Sequence, residues 1–157
     1  MKIAFLTNEY ITEANADGGL ASYLGRVTGA LARRGHQVEV FVISKHREDI
    51  NARGVLVHRV PISGRRLLAG KIKALYTINA LLYYLRLPTF YRSIEAYATS
   101  HTLHQAFQDR VKAVHFDIIQ AASYMAAAGQ IARKSAVPVV VRLSSYAPYW
   151  TQAYDKK

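Results

Sequence analysis

The feature that most constrains this chain is a change of hydrophobic period near its start. Lys2 to Thr7 is a short run of bulky apolar residues, the pattern of a strand buried on both faces. Leu20, Tyr23, Leu24, Val27 and Leu31 then recur at i, i+3, i+4, i+7 and i+11, the stripe of an amphipathic helix. Gln37 to Ile43 returns to a partly alternating, β-branched pattern that reads as a second strand. A strand, a helix and a strand in this order pair in parallel through a right-handed crossover. Asp17 is the candidate helix cap, Arg33 and Arg34 suit the negative end of the helix dipole, and Gly35 stops the helix.

The alternation continues. Gly54 to Val60 predicts a third strand ended by Pro61. From Arg65 a long helical region follows, broken near Pro88. Leu68, Ile72, Leu75, Asn79 and Leu82 mark one face of its first part, and Ile94, Leu103, Phe107, Val111 and Val114 form a stripe in its second. Phe116 to Ala121 predicts a fourth strand, Met125 to Ser135 a helix, and Pro138 to Leu143 a fifth strand. Tyr146, Pro148, Tyr149 and Trp150 then open a loop. The expected fold class is α/β, a doubly wound, Rossmann-like parallel sheet in one domain over residues 1–157. Ligands of such sheets bind beyond the carboxyl ends of the strands, which gathers the segments after Thr7, Ile43, Gln120 and Arg142 around one crevice.

Composition removes several classes. The chain has no cysteine, so disulfides and thiolate metal sites are excluded and a reducing cytoplasm fits. The apolar start is too brief for a secretion signal and is followed at once by Asn8, Glu9 and Glu13. The longest apolar stretch, Ala74 to Leu85, falls short of the roughly 20 residues that cross a bilayer. The net charge of +11 favours an anionic partner: a lipid surface, nucleic acid or a phosphorylated substrate.

The first loop separates the Rossmann-like classes. No G-x-G-x-x-G follows the first strand and no G-x-x-x-x-G-K-[ST] occurs, which argues against a dinucleotide fold and a P-loop. Thr7 and Asn8 stand where a receiver domain would carry acids. A loop of about ten residues closes instead on Gly18-Gly19-Leu20. That loop, in Gly18-Gly19-Leu20-Ala21-Ser22-Tyr23, followed by Leu31-Ala32-Arg33-Arg34-Gly35-His36-Gln37-Val38, resembles the start of family 4 glycosyltransferases. Phe116-Asp117-Ile118-Ile119-Gln120 is similar to the family's fourth strand, and Pro138-Val139-Val140-Val141-Arg142-Leu143-Ser144 to the strand leading to its active-site loop. The likeness is thin between residues 62 and 114.

The resemblance implies the amino-terminal, acceptor-side half of a two-domain GT-B enzyme, ending before the half that binds the sugar nucleotide. It implies retaining transfer of a sugar from a nucleotide-sugar donor to a sugar or lipid-linked acceptor, with no cofactor. Gly18, Gly19 and Leu20 would meet the donor diphosphate, since glycines permit close main-chain approach and a helix N-terminus favours anions. The family often has a histidine where Ser144 stands, followed here by Ser145, and others after the fourth strand, where this chain has Gln120, Ala122 and Ser123. No catalytic base is therefore assigned in this half, and the departing phosphate can take the acceptor proton. By strand-end position alone, Asn8, Glu9, Tyr124, Arg142, Ser144 and Ser145 line the acceptor cleft. The rival readings are a non-enzymatic ligand-binding module and a basic, membrane-attached interaction domain.

Two further groups stand out. His101 and His104 share a helical face, but with no carboxylate at a useful spacing they read as a solvated pair, not a metal site. Arg65, Arg66, Lys71 and Lys73 precede Leu75-Tyr76 and Leu81-Leu82-Tyr83-Tyr84-Leu85. This segment reads either as a helix packed on the sheet with cations outward or as a peripheral contact with the inner face of an anionic membrane. No nucleic-acid motif accompanies the charge, so nucleic acid is not an expected partner.

Overall fold

A computed structural model describes residues 1–14, 18–62 and 66–143, the side chains of 66–69, 71 and 72 excepted. The predicted Asp17 cap, Arg65, Ser144, Ser145 and the loop after them lie outside the described residues. Six strands form one sheet in the order β3-β4-β2-β1-β5-β6: β1 (Lys2–Thr7), β2 (Gln37–Ile43), β3 (Glu48–Ala52), β4 (Val55–Val60), β5 (Ile118–Ala122) and β6 (Val139–Arg142). The helices are α1 (Gly19–Arg33), α2 (Arg66–Tyr84), α3 (Tyr91–Val111) and the short α4 (Ile131–Lys134).

Five strands are parallel, with β1 at the centre between β2 and β5. Their apolar runs are continuous because both faces are covered. On one face Leu24 of α1 packs with Phe5, Val40 and Val57. On the other, Leu103 and Phe107 of α3 pack with Leu6, Phe41 and Ile119. Phe107 and Phe116 flank Phe41 edge-on at 5.9 and 6.4 Å between ring centres, a favourable aromatic geometry. The doubly wound α/β class is as expected.

Three local readings need correction. β3 was not anticipated. It pairs antiparallel with β4 through Arg53 and Gly54, both at positive φ (56° and 80°), the geometry of a two-residue hairpin turn. Its sequence, Glu-Asp-Ile-Asn-Ala, lacks strand propensity, and a charged edge strand needs little of it. The helix expected from Met125 to Ser135 is instead a 3-10 turn at Tyr124–Ala126 followed by α4. The break lies at Met125 and Ala126, both at positive φ (50° and 53°), and Gly129 then packs closely on α3, where a Cβ would stand 3.0 Å from Ser100 Oγ. Ser100 Oγ also accepts the Gln130 N–H at 2.7 Å. Lastly, His101 and His104 are both partly buried, not solvated. His101 stacks on Tyr97, and burial, more than Lys134 or His101, holds His104 below its ordinary pKa.

Gly35 ends α1 as expected, at φ +84°, with the Gly35 and His36 amides donating back to Ala32 and Leu31. On α2, Asn79 is buried and accepts the Phe90 amide at 2.7 Å, which joins α2 to the start of α3. No helix among the described residues is long and apolar enough to cross a membrane.

Candidate functional site

The carboxyl ends of β1, β2 and β4 open onto a cleft of about 1400 Å³ whose far wall is α2. Asn8, Glu9, Thr12 and Glu13 enter it from the segment after β1, Ser44, Lys45 and His46 from the end of β2, and Arg59 from β4. Lys73, Tyr76, Thr77 and Ala80 come from α2.

The segment after β1 is polar, and side chains tie it down at each step. Thr7 Oγ1 donates to the Glu9 carbonyl at 3.0 Å and accepts the Glu9 amide at 3.3 Å, turning the chain as it leaves the strand. Tyr10 is buried, its hydroxyl 2.7 Å from that of Thr28 on α1. Ile11 lies where a Cβ on Gly25 would be, 2.7 Å away, so Gly25 makes room for the loop to lie on the helix. Glu13 then accepts hydrogen bonds from Ser44 Oγ at 2.7 Å and Arg59 Nε at 2.8 Å. Arg59 also donates to Glu48 at 2.6 Å and to the Thr12 carbonyl at 2.6 Å. Burial is the largest single influence on Glu13 and raises its pKa, but the Ser44, Arg59 and Thr12 hydrogen bonds together hold it lowered, hence ionised.

Gly18 and Gly19 follow at the start of α1. Gly18 caps the helix at φ −81° and ψ 154° without a side-chain capping bond. Neither glycine is at positive φ, so backbone conformation does not require them. Space constrains Gly18 alone. A Cβ on Gly18 would stand 2.6 Å from Glu9 Oε2, whereas a Cβ on Gly19 would meet nothing within 4 Å. The Glu9 carboxylate therefore joins the glycine turn to the cleft, and Gly19 presents open space at a positive helix end. Leu20 packs against both core clusters, which leaves its backbone as the part available to a ligand.

Asn8 and Glu9 line this cleft. Tyr124 and Arg142 do not. They stand at the ends of β5 and β6, across β1 from β2 and β4. Tyr124 is 40% exposed, and the Arg142 guanidinium lies 3.3 Å above the Tyr23 ring centre on α1. Of the proposed membrane cations, Arg66 and Lys71 belong to α2, while Lys73 forms part of the cleft wall. The cleft residues to which the sequence assigned no role, Thr12, Glu13, Lys45, His46 and Arg59, carry no motif. The strand-end rule pointed to the segment after Ile43 but not to particular side chains. No group of three His, Asp or Glu residues suited to a metal occurs among the described residues.

Residues 18–156 match the model of the glycosyl transferase 4-like domain. Among solved structures, a sucrose-phosphate synthase from Thermosynechococcus elongatus superposes with a TM-score of 0.61 at 13% identity, covering 97% of this chain and 35% of that one. The likeness is one of fold, and the chain spans about a third of that enzyme's length. A second sucrose-phosphate synthase structure from the same organism gives a TM-score of 0.30 at 14% identity, over 99% of this chain and 98% of that one, too low to bear on the fold. No curated protein sequence matches the chain. With the family model spanning both the glycine turn and the last strand, on a sheet of the same architecture, the chain belongs to the glycosyl transferase 4-like domain family.

Proposed function

We propose that this domain is the acceptor-binding half of a retaining glycosyltransferase that uses a nucleotide-sugar donor and needs no cofactor. The observation that carries the reading is the meeting of two features beside Glu9: open space at Gly19 on a helix N-terminus, and a large cleft beyond the strand ends. The donor diphosphate contacts the backbone of Gly18, Gly19 and Leu20, where free N–H groups and the helix dipole stabilise negative charge. The nucleotide is held by a second α/β half. The acceptor lies in the cleft with its reacting hydroxyl near Asn8 and Glu9. Ser144 and Ser145, outside the described residues, are assigned to the acceptor side by family resemblance and strand-end position alone. The leaving phosphate takes the acceptor proton, so no base from this half is required.

The enzyme works in the cytoplasm, with Arg65, Arg66 and Lys71 drawing it to the anionic inner face of a membrane. The isolated chain folds but is catalytically silent, because the donor site has only one wall. The test is a panel of nucleotide sugars offered to this chain and to a longer protein that includes a second half. Turnover by the longer protein alone supports the reading, and turnover by this chain alone overturns it.

A further inference from the structure

Charge in the cleft is segregated. On the strand side, Glu13 and Arg59 are committed to each other and to Ser44, Thr12 and Glu48. Asn8 Oδ1 is buried there without a hydrogen-bond partner, a cost that a ligand hydroxyl would remove. On the outer side, Lys45 and Lys73 face the same cleft from the segment after β2 and from α2, and both side chains are exposed. Neither ammonium has a carboxylate partner among the described residues. A neutral sugar would use the first group and leave the second idle.

The α2 wall sets apolar surface at Tyr76 and Ala80 beside the polar Lys73 and Thr77, and it does not stop at the cleft. Lys73, Tyr76, Thr77 and Ala80 recur at i, i+3, i+4 and i+7 along α2, and Tyr84 at i+11 continues the row. Tyr84 is 83% exposed, with Tyr83 at 73% and Leu81 at 59% beside it. Aromatic and aliphatic surface of this kind on a helix end is not covered by the domain's own core. The cleft volume of about 1400 Å³ also exceeds the roughly 300–1000 Å³ usual for small-molecule pockets, leaving room beyond one sugar ring.

We infer that the acceptor is an anionic amphiphile, a hydroxyl-bearing headgroup with a phosphate and a hydrocarbon chain. The hydroxyl end reaches Asn8 and Glu9 beside the glycine turn. The phosphate lies between Lys45 and Lys73, where two ammonium groups give charge-assisted hydrogen bonds. The chain runs out over Tyr76 and Ala80 toward Tyr84. The inference rests on the acceptor-side reading and narrows its substrate class. It also gives Lys73 a headgroup to hold in place of a general membrane contact.

The experiment is calorimetric titration of this chain with decyl phosphate below its aggregation concentration, with inorganic phosphate and decyl glucoside in parallel. Because no donor is present, the outcome is independent of whether the longer protein transfers sugar. Decyl phosphate is expected to bind one to one and on the order of tenfold more tightly than either comparator. Lys45→Gln with Lys73→Gln should abolish its advantage over decyl glucoside, and Tyr84→Ser should weaken both decyl compounds while leaving phosphate unchanged. These positions are exposed, and an unchanged circular dichroism melt verifies folding. Equal binding of decyl glucoside would overturn the anionic part, and equal binding of phosphate the apolar part. Binding only to anionic vesicles, with none to monomeric decyl phosphate, would replace the acceptor by a membrane surface and overturn the whole.

Discussion

His58 lies between two carboxylates, with Nε2 2.8 Å from Glu39 and Nδ1 2.8 Å from Asp49, while its ring stacks on Phe41 at 4.6 Å. Only the imidazolium can donate from both nitrogens, so the arrangement selects the charged ring. Glu39 is buried and also receives two hydrogen bonds from Arg110 of α3, at 2.9 and 3.0 Å, and Lys2 of β1 at 3.0 Å. One carboxylate therefore ties β1, β2, β4 and α3 together, away from the cleft. Burial is the largest influence on both groups and opposes their charge. The partners outweigh it, holding Glu39 well below the ordinary carboxylate range and raising His58 above its usual value.

The pH dependence of stability follows. His58 is raised on folding, so its contribution is fully present below about pH 6.5 and is lost as pH rises through the higher folded value. Glu39 is lowered, so its contribution is present above about pH 4.5 and declines as pH falls toward the folded value. Urea unfolding across this range should show stability falling on both sides, and His58→Gln should remove the alkaline decline selectively. Glu39→Gln leaves Lys2, His58 and Arg110 facing one another and should cost about 3 kcal/mol. An alkaline limb that persists in His58→Gln would assign it to another group.

Gly19→Val separates binding from folding. Nothing lies within 4 Å of the added Cβ, so the melting temperature of this domain should stay within a few degrees of the parent. Donor turnover in the longer protein should fall by at least about a hundredfold if the main chain must approach a diphosphate there. Full activity would make the turn purely structural. Gly18→Ala should instead displace Glu9 and alter acceptor dependence.

Leu103 and Leu81 test which apolar residues belong to the core. Leu103 is 0% exposed and Leu81 is 59% exposed. Leu103→Ala should cost about 3 kcal/mol in denaturant unfolding, and Leu81→Ala less than about 0.5 kcal/mol. A large loss at Leu81 would place the outer face of α2 in the core and remove it as a ligand surface.

Gly35→Ala places a side chain at φ +84°. The left-handed conformation should cost about 1 kcal/mol. A stability gain would show that the helix end relaxes to another geometry.

Much of this protein was legible in its residues because period and punctuation are local. The apolar run at Lys2 to Thr7, the stripe from Leu20 to Leu31 and the Gly35 stop specify strand, helix and turn through contacts a few residues long. Those elements, with the Gly18-Gly19 and Gly35-His36 motifs, also carried the family likeness. Tertiary structure decided the rest. β3 is a strand because β4 is beside it, and the helix expected from Met125 is interrupted where Met125 and Ala126 take positive φ and Gly129 packs beside Ser100. The cleft was hidden for the same reason. Glu13 meets Ser44 across 31 positions and Arg59 across 46, and Lys73 comes to the same wall as Lys45 from another element. Such meetings depend on crossover connections and sheet order, which no local pattern records, whereas the period of burial is written in every turn and strand.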